Sequence, residues 1–250
     1  MRFRRSILIL PLGMLLLGSC SARGSRLDGF DADGLFAHAM QQLDARRWPQ
    51  AAEAFDRFLL VYPTHPRMQE ARFRMGQTQQ GRGEWVTAAT EFNRLASEFP
   101  AGAWADDARF EVCRSYYELA PPPQLDQEYT QIAVDHCQSL LTFYPDSEYV
   151  PRGRAVIEEL TNRLAEKQYR NAEEYVRRRA IDSAIIYFEI VVSEYPTTVW
   201  APRALLRLVE SYDRLGYEAE ARSARDRLRQ QYPESPEARQ ISGAAGPVRP

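Results

Sequence analysis

Apolar positions recur along the chain with the 3.6-residue period of amphipathic helices, and a tyrosine or phenylalanine followed by proline interrupts them five times. Successive prolines of this motif lie 37, 45, 51 and 37 residues apart. Because proline cannot continue a helix, each motif predicts a helix end. The five motifs are Tyr62-Pro63, Phe99-Pro100, Tyr144-Pro145, Tyr195-Pro196 and Tyr232-Pro233.

The residues before each proline also repeat. An alanine lies twelve positions before every one, at Ala51, Ala88, Ala133, Ala184 and Ala221. The residues eight positions before are Phe55, Phe92, Cys137, Phe188 and Arg225. A preceding helix carries a small or compact residue at its centre, at Ala39, Gly76, Cys113, Ala172 and Val209. This spacing predicts paired helices that approach closely.

Paired helices with these positions are typical of the tetratricopeptide repeat, a helix-turn-helix unit of about 34 residues. We therefore predict an all-α solenoid of about five such repeats over residues 31–235, with a concave groove. A single helix pair cannot bury its apolar face alone, so each repeat must be stabilised by its neighbours.

Two repeats are longer than the others. The third contains about eight extra residues around the triple proline 121–123, which predicts a stiff loop. The fourth contains about fourteen extra residues, and from Val150 to Arg178 its only early helix breakers are Pro151 and Gly153. One long helix is the simplest interpretation of that segment.

The first twenty residues have the pattern of an export signal. A basic opening, MRFRR, precedes a short apolar run, and Leu17-Gly18-Ser19-Cys20 resembles a bacterial lipobox. We predict a signal peptide at 1–19, acylation of Cys20, a flexible tether over 20–30 and a disordered tail over 236–250. The alternative is an ordinary signal peptide with an incidental cysteine. Ser21 leaves sorting between the inner and outer membranes open.

Composition narrows the function classes. The 250 residues are 44% hydrophobic, which suffices for a sizeable core, and the net charge of -2 argues against nucleic-acid binding. The three histidines, His38, His65 and His136, are scattered and have no metal-ligand spacing. His136 and Cys137 are neighbours on a helix and point about 100° apart, which disfavours a catalytic dyad. We expect no cofactor, no metal and no enzymatic activity.

One segment has a more specific likeness. From Gln124 to Pro196 the chain has Asp126 and Thr130 after the proline-rich insertion, then YPDSEY from Tyr144, and LAEK from Leu164 within the long segment. With the lipobox and five repeats, these features resemble the BamD family of outer-membrane lipoproteins of the β-barrel assembly machinery. Cys137 and Arg225 depart from the aromatic residues usual at their positions.

The resemblance implies an outer-membrane lipoprotein that faces the periplasm. Such an adaptor binds the central barrel-forming subunit and its accessory lipoproteins, and receives unfolded outer-membrane proteins. In the family, amino-terminal repeats are associated with clients and carboxy-terminal repeats with the central subunit. The alternative is another lipid-anchored tetratricopeptide-repeat scaffold, for cell division or envelope organisation.

Two further sites are candidates from the residues alone. Cys113 and Cys137 fall in the third repeat and form a disulfide if their Cα atoms lie within about 4.4 to 6.8 Å, although the insertion separates them. The basic run containing Arg177 and Arg178 is either a docking surface for an acidic partner or a complement to the end of its helix. The sequence alone does not decide whether the disulfide forms or whether the two arginines dock a partner.

Overall fold

The computed structural model describes Leu27 and residues 29–243 of the chain. Within these residues it contains helices and no β-strand, and each helix packs against the next along the chain. The predicted all-α solenoid of five helix pairs is confirmed, with one additional helix after the fifth pair. The helices are α1 (Ala32–Asp44), α2 (Trp48–Val61), α3 (Met68–Gly81), α4 (Trp85–Glu98), α5 (Ala105–Leu119), α6 (Glu128–Phe143), α7 (Val150–Arg177), α8 (Ile181–Glu194), α9 (Trp200–Leu215), α10 (Glu218–Gln231) and α11 (Pro236–Gly243).

The core follows the repeat positions that the sequence predicts. Each alanine twelve residues before a motif proline is fully buried, with an exposed fraction of 0% at Ala51, Ala88, Ala133, Ala184 and Ala221. The apolar residues five before the prolines are equally buried at Phe58, Leu95, Leu140, Val191 and Leu228. Small residues in the first helices admit their aromatic partners: a Cβ added to Gly76 would lie 2.6 Å from the Phe92 ring.

The aromatic residues of the motif end the second helices, and two of them join neighbouring repeats. Each one donates its backbone N–H to the carbonyl four residues earlier, which closes the last helical turn. The Tyr144 hydroxyl then donates to the Pro100 carbonyl at 3.0 Å, and the Tyr232 hydroxyl to the Pro196 carbonyl at 2.7 Å. Each tyrosine thus links its repeat to the motif proline of the preceding one.

Four of the five turns between the two helices of a repeat contain a residue in the left-handed conformation; the third repeat, with its insertion, is the exception. Gly83 and Gly216 have φ of 76° and 77°, which glycine adopts without strain. The equivalent residues in the first and fourth repeats are Arg46 at 55° and Arg179 at 61°. A non-glycine residue in this conformation costs about 1 to 2 kcal/mol. The arginines are therefore retained at a cost in stability.

The predicted long helix is confirmed as α7, which has 28 residues. Its first half packs on α6, where a Cβ at Gly153 would lie 3.0 Å from Leu141. Its second half pairs with α8 through the ring contact of Tyr169 with Phe188, whose centroids are 5.4 Å apart. A single helix therefore belongs to both the third and the fourth repeats.

Two predictions at the ends of the solenoid are corrected. The tail from 236 was predicted to be disordered, but residues 236–243 form α11, which packs on α9 and α10 and buries Ala238. The end of the predicted flexible tether is also packed, because Leu27 is 7% exposed and joins the core of the first repeat. The predicted signal peptide 1–19, Cys20 and residues 244–250 lie outside the described residues.

Candidate functional site

An open groove of about 480 Å³ lies across the first three repeats. We call it the amino-terminal groove. Its walls come from α1, α3 and α5, with additional side chains from the beginnings of α2 and α4. Apolar contacts are available from Met40, Leu43, Trp48 and Trp85. The cationic side chains are Arg46, Arg74 and Arg114.

The tryptophans have both structural and surface roles. A Cβ at Gly81 would lie 2.7 Å from the Trp48 ring, so this glycine allows the indole to pack on α3. Trp104 packs on Phe73 with centroids 4.8 Å apart, and Trp200 similarly packs on Tyr169. Trp48 and Trp85 also line the same groove. The sequence could not show this, because it depends on how successive repeats stack.

A buried polar network holds one wall of the groove. The Gln80 amide donates to Glu111 Oε2 at 2.7 Å and to the Ser115 hydroxyl at 3.0 Å. The Arg114 guanidinium donates to Gln80 Oε1 at 2.6 Å and pairs with Glu111 at 2.8 Å. Burial raises the pKa of the Glu111 carboxyl, and the hydrogen bond from Gln80 and the charge of Arg114 oppose that rise. The network fixes the position of Arg114.

The other two arginines place additional positive charge along the groove. Arg74 donates to Gln77 Oε1 at 2.9 Å, and its guanidinium carbon lies 5.2 Å from the Trp104 ring centroid. Arg46 is exposed and makes no ion pair within the described residues. Asp44 is the carboxylate among the lining residues. Arg74 also pairs with Glu70 at 3.7 Å, and Arg114 pairs with Glu111 at 2.8 Å, so Arg46 is the lining guanidinium whose charge has no partner among the described residues. Its exposed guanidinium favours a ligand with a carboxylate group.

Cys113 and Cys137 form a disulfide between α5 and α6, with their Cα atoms 4.8 Å apart. Both residues are fully buried. They occupy the positions that Gly76 and Phe92 fill in the second repeat, so the disulfide replaces a contact between a small and an aromatic residue. Because the Cys137 sulfur is bonded to Cys113, it is not available as a nucleophile in this form.

His136, the neighbour of Cys137, makes a different contact. Its ring stacks on Tyr116 with centroids 5.2 Å apart and an interplanar angle of 4°. Burial lowers its pKa below the usual range for histidine. Within the described residues, no group of three or more His, Cys, Asp or Glu side chains is placed to hold a metal ion.

Arg177 and Arg178 lie at the carboxyl end of α7, in the fourth repeat and apart from the amino-terminal groove. Their side chains are 70% and 68% exposed. Both pair with Glu174, and the Arg178 Nε lies 2.8 Å from Glu174 Oε1. These two hydrogen bonds hold the pKa of Glu174 below its usual range. A docking role for the two arginines is still a prediction.

No helix in the described part of the chain has both the length and the hydropathy needed to cross a membrane. Cys20 lies outside that part, so its acylation is also still a prediction.

Comparisons with known proteins agree with the repeat pattern. A family model described as an outer membrane lipoprotein matches residues 118–228, and a tetratricopeptide-repeat model matches residues 70–101. The outer membrane protein assembly factor BamD of Rickettsia prowazekii is 26% identical over 227 residues, which is 91% of this chain and 90% of that protein. BamD of Caulobacter vibrioides is 25% identical over 75% of this chain and 62% of its own length.

Among solved structures, a TPR repeats protein from Bacteroides fragilis aligns over 86% of this chain and 97% of its own chain, with 14% identity and a TM-score of 0.48. The two family models together cover helices from the second to the fifth repeat. The match to the Rickettsia protein extends over nearly the whole chain. The chain thus has a tetratricopeptide-repeat fold and is similar in sequence to the BamD outer membrane protein assembly factors.

Proposed function

We propose that the chain is a lipid-anchored adaptor of outer-membrane β-barrel assembly. It binds the central barrel-forming subunit and its accessory lipoproteins, and it receives unfolded outer-membrane proteins before their insertion. Its similarity to BamD proteins supports this proposal. In this proposal binding is the whole activity, and no cofactor, metal or chemical step is required.

The amino-terminal groove is the observation on which client binding rests. Membrane-spanning β-strands are segments of about ten residues with alternating apolar side chains and aromatic residues at the membrane interfaces. Aromatic rings of such a segment can stack on Trp48 and Trp85. Carboxylates of the same segment can pair with Arg46 and Arg114, which lie along the groove. An unfolded client strand therefore offers aromatic and carboxylate groups that the side chains of the groove can bind.

The lipid anchor would place this groove near the membrane. Leu27, the first described residue, lies seven positions after Cys20 and is packed on the first repeat. A chain of that length spans at most about 25 Å, since an extended residue covers roughly 3.6 Å. Acylation of Cys20 would thus hold the first repeat close to the bilayer where barrels are inserted.

Titration of a client peptide tests the groove. The probe is a ten-residue peptide with alternating apolar residues, aromatic residues and a free carboxyl end. Replacement of Trp104 and Trp200 by Phe leaves Trp48 and Trp85 as the fluorescent reporters. We expect a saturable change in their emission. The variant Arg46→Gly should weaken affinity about five- to tenfold, equivalent to roughly 1 to 1.4 kcal/mol, because it removes one charged contact.

Arg179→Gly is the matched control. It changes the equivalent left-handed turn of the fourth repeat, outside the groove, and relieves the same backbone strain. Its peptide affinity should equal that of the unmodified chain. Tryptophan emission that does not change on addition of the peptide, or equal peptide affinity of all three proteins, would contradict client binding in the groove.

We further propose that Arg177 and Arg178 contribute to docking of the central subunit. The probe is the set of soluble domains of that subunit from the same organism. Arg177→Glu with Arg178→Glu should weaken binding and reduce its dependence on salt, because exposed ion pairs are screened by salt. Arg94→Glu is the control, since Arg94 pairs with Glu98 on α4 in a similar exposed arrangement. Unchanged affinity and salt dependence in the double variant would contradict this role.

A further inference from the structure

The loop between α5 and α6 is held in place by the long helix. The Arg163 guanidinium donates to the carbonyl of Ala120 at 2.8 Å and to that of Pro121 at 3.2 Å. The Lys167 ammonium donates to the carbonyl of Leu125 at 2.7 Å. Three backbone carbonyls of the loop thus accept hydrogen bonds from α7.

A second set of contacts holds the loop from inside. The Gln127 amide donates to the carbonyls of Pro122 at 2.8 Å and Leu125 at 3.1 Å. The Thr130 hydroxyl donates to Gln127 Oε1 at 2.8 Å. The disulfide ties together the helices on either side of the loop. A loop ordered in this way loses little conformational entropy when a partner binds it.

This ordered loop presents apolar side chains to solvent. Leu125 is 58% exposed and Tyr129 is 39% exposed. The Tyr129 ring stacks on Tyr116, with centroids 6.2 Å apart. Leu125 is held outwards while its own carbonyl is bonded to α7. We call residues 118–129 the insertion-loop surface.

Three carboxylates belong to the same segment as these apolar groups. Glu118, Asp126 and Glu128 are exposed, and within the described residues none of them lies within 4.0 Å of a basic nitrogen. From residue 115 to residue 151 the chain contains no lysine or arginine. Most glutamates of α7 are instead paired, as Glu159 is with Arg163 at 2.9 Å. Within residues 118–129 the charged side chains are carboxylates, while Arg163 and Lys167 of α7 contact the loop through its backbone carbonyls. The insertion-loop surface is therefore an apolar contact whose own rim is negative, with these two cations of α7 beside it.

We propose that the insertion-loop surface docks a folded protein domain that has an apolar pocket rimmed by lysine or arginine. The charge of the rim selects a basic partner, and the preorganised Leu125 supplies the apolar anchor. This inference rests on the proposed function, because the partner is a folded component of the assembly complex. It is a different surface from the amino-terminal groove and from Arg177 and Arg178.

Footprinting of the lipidated, full-length protein tests the inference. Hydroxyl-radical labelling is compared for the isolated protein and for the complex purified from gently solubilised membranes. We expect labelling of Leu125 and Tyr129 to fall at least fivefold in the complex. Addition of the groove peptide to the isolated protein should leave their labelling unchanged. Protection by that peptide alone would assign the surface to clients and overturn the proposal.

Charge reversal supplies an independent measurement. Asp126→Lys with Glu128→Lys should release one component of the complex at lower salt than the unmodified protein does. Asp146→Lys with Glu148→Lys is the matched control, because it makes the same charge change in the third repeat outside the loop. Equal release in both variants, or equal labelling of Leu125 with and without the complex, would refute the docking site. Failure to obtain any complex would refute the proposed function and this inference together.

Discussion

Two glutamates should change the free energy of unfolding in opposite directions as pH rises. Burial raises the pKa of Glu111, whereas hydrogen bonds from Arg177 and Arg178 lower the pKa of Glu174. As pH rises above the unfolded-state pKa, Glu111 ionises more readily in the unfolded chain, so it lowers the free energy of unfolding. Glu174 ionises more readily in the folded chain, so its contribution is present above the unfolded-state pKa and is lost as pH falls.

Urea unfolding between about pH 3.5 and pH 7, the range in which carboxyl groups titrate, tests the predicted direction of each effect. With rising pH, the stability of Glu111→Gln should increase relative to the unmodified chain. The stability of Glu174→Gln should decrease relative to the unmodified chain over the same range. If both variants showed the same slope, the assigned environments of the two carboxyl groups would be wrong.

At the positions of the disulfide between α5 and α6, other repeats of the solenoid have a small residue packed against an aromatic ring. The equivalent positions of the fourth repeat are Ala172 and Phe188, both fully buried. Replacement of Cys113 and Cys137 by alanine should lower the free energy of unfolding by about 3 kcal/mol, because it removes a cross-link and leaves space in the core. The variant Cys113→Ala with Cys137→Phe should recover part of that loss. Guanidinium unfolding of the three proteins measures both effects.

The result for the phenylalanine variant distinguishes packing from cross-linking. Partial recovery would show that the third repeat accepts the contact used by its neighbours. Stability below that of the double-alanine variant would contradict the equivalence of the two positions, since the ring would then be overpacked.

The repeat register could be predicted because one motif recurs with the same buried positions in every copy. The sequence allowed the disulfide but did not require it, because the insertion between Cys113 and Cys137 leaves the distance between their helices undetermined. The helix α11 was missed because its short segment offers few apolar residues, chiefly Ala238 and Ile241, and no closing proline motif. Sequence position could not place Trp48 and Trp85 in one groove, since that depends on packing across repeats.

Removal of α11 should destabilise only the helices that pack against it. A chain ending at Ser235 would expose the face of the fifth repeat that Ala238 and Ile241 cover. Because each repeat of a solenoid contacts only the adjacent repeats, amide hydrogens of α9 and α10 should exchange faster while those of α1 to α4 do not. Deletion of residues 244–250 alone is the control and should change neither set. Uniformly faster exchange along the chain would contradict local capping.

The chain combines a predicted lipid anchor at one end with separate proposed binding surfaces along a stack of helices. Replacement of Cys20 by serine should release the protein from membranes into the soluble periplasmic fraction, because the acyl chains provide its attachment. Fractionation followed by mass spectrometry of the mature amino terminus measures this. The unmodified protein should begin at an acylated Cys20, and an intact, unacylated amino terminus would contradict the anchor.

The central claim is that this solenoid works by binding other proteins of outer-membrane assembly. Affinity purification of the full-length chain from gently solubilised membranes, with identification of the bound proteins by mass spectrometry, tests it most directly. We predict recovery of a large β-barrel protein with periplasmic domains, in amounts comparable to the chain itself. Recovery of only cell-wall or cell-division proteins would contradict the account and favour an envelope scaffold of another kind.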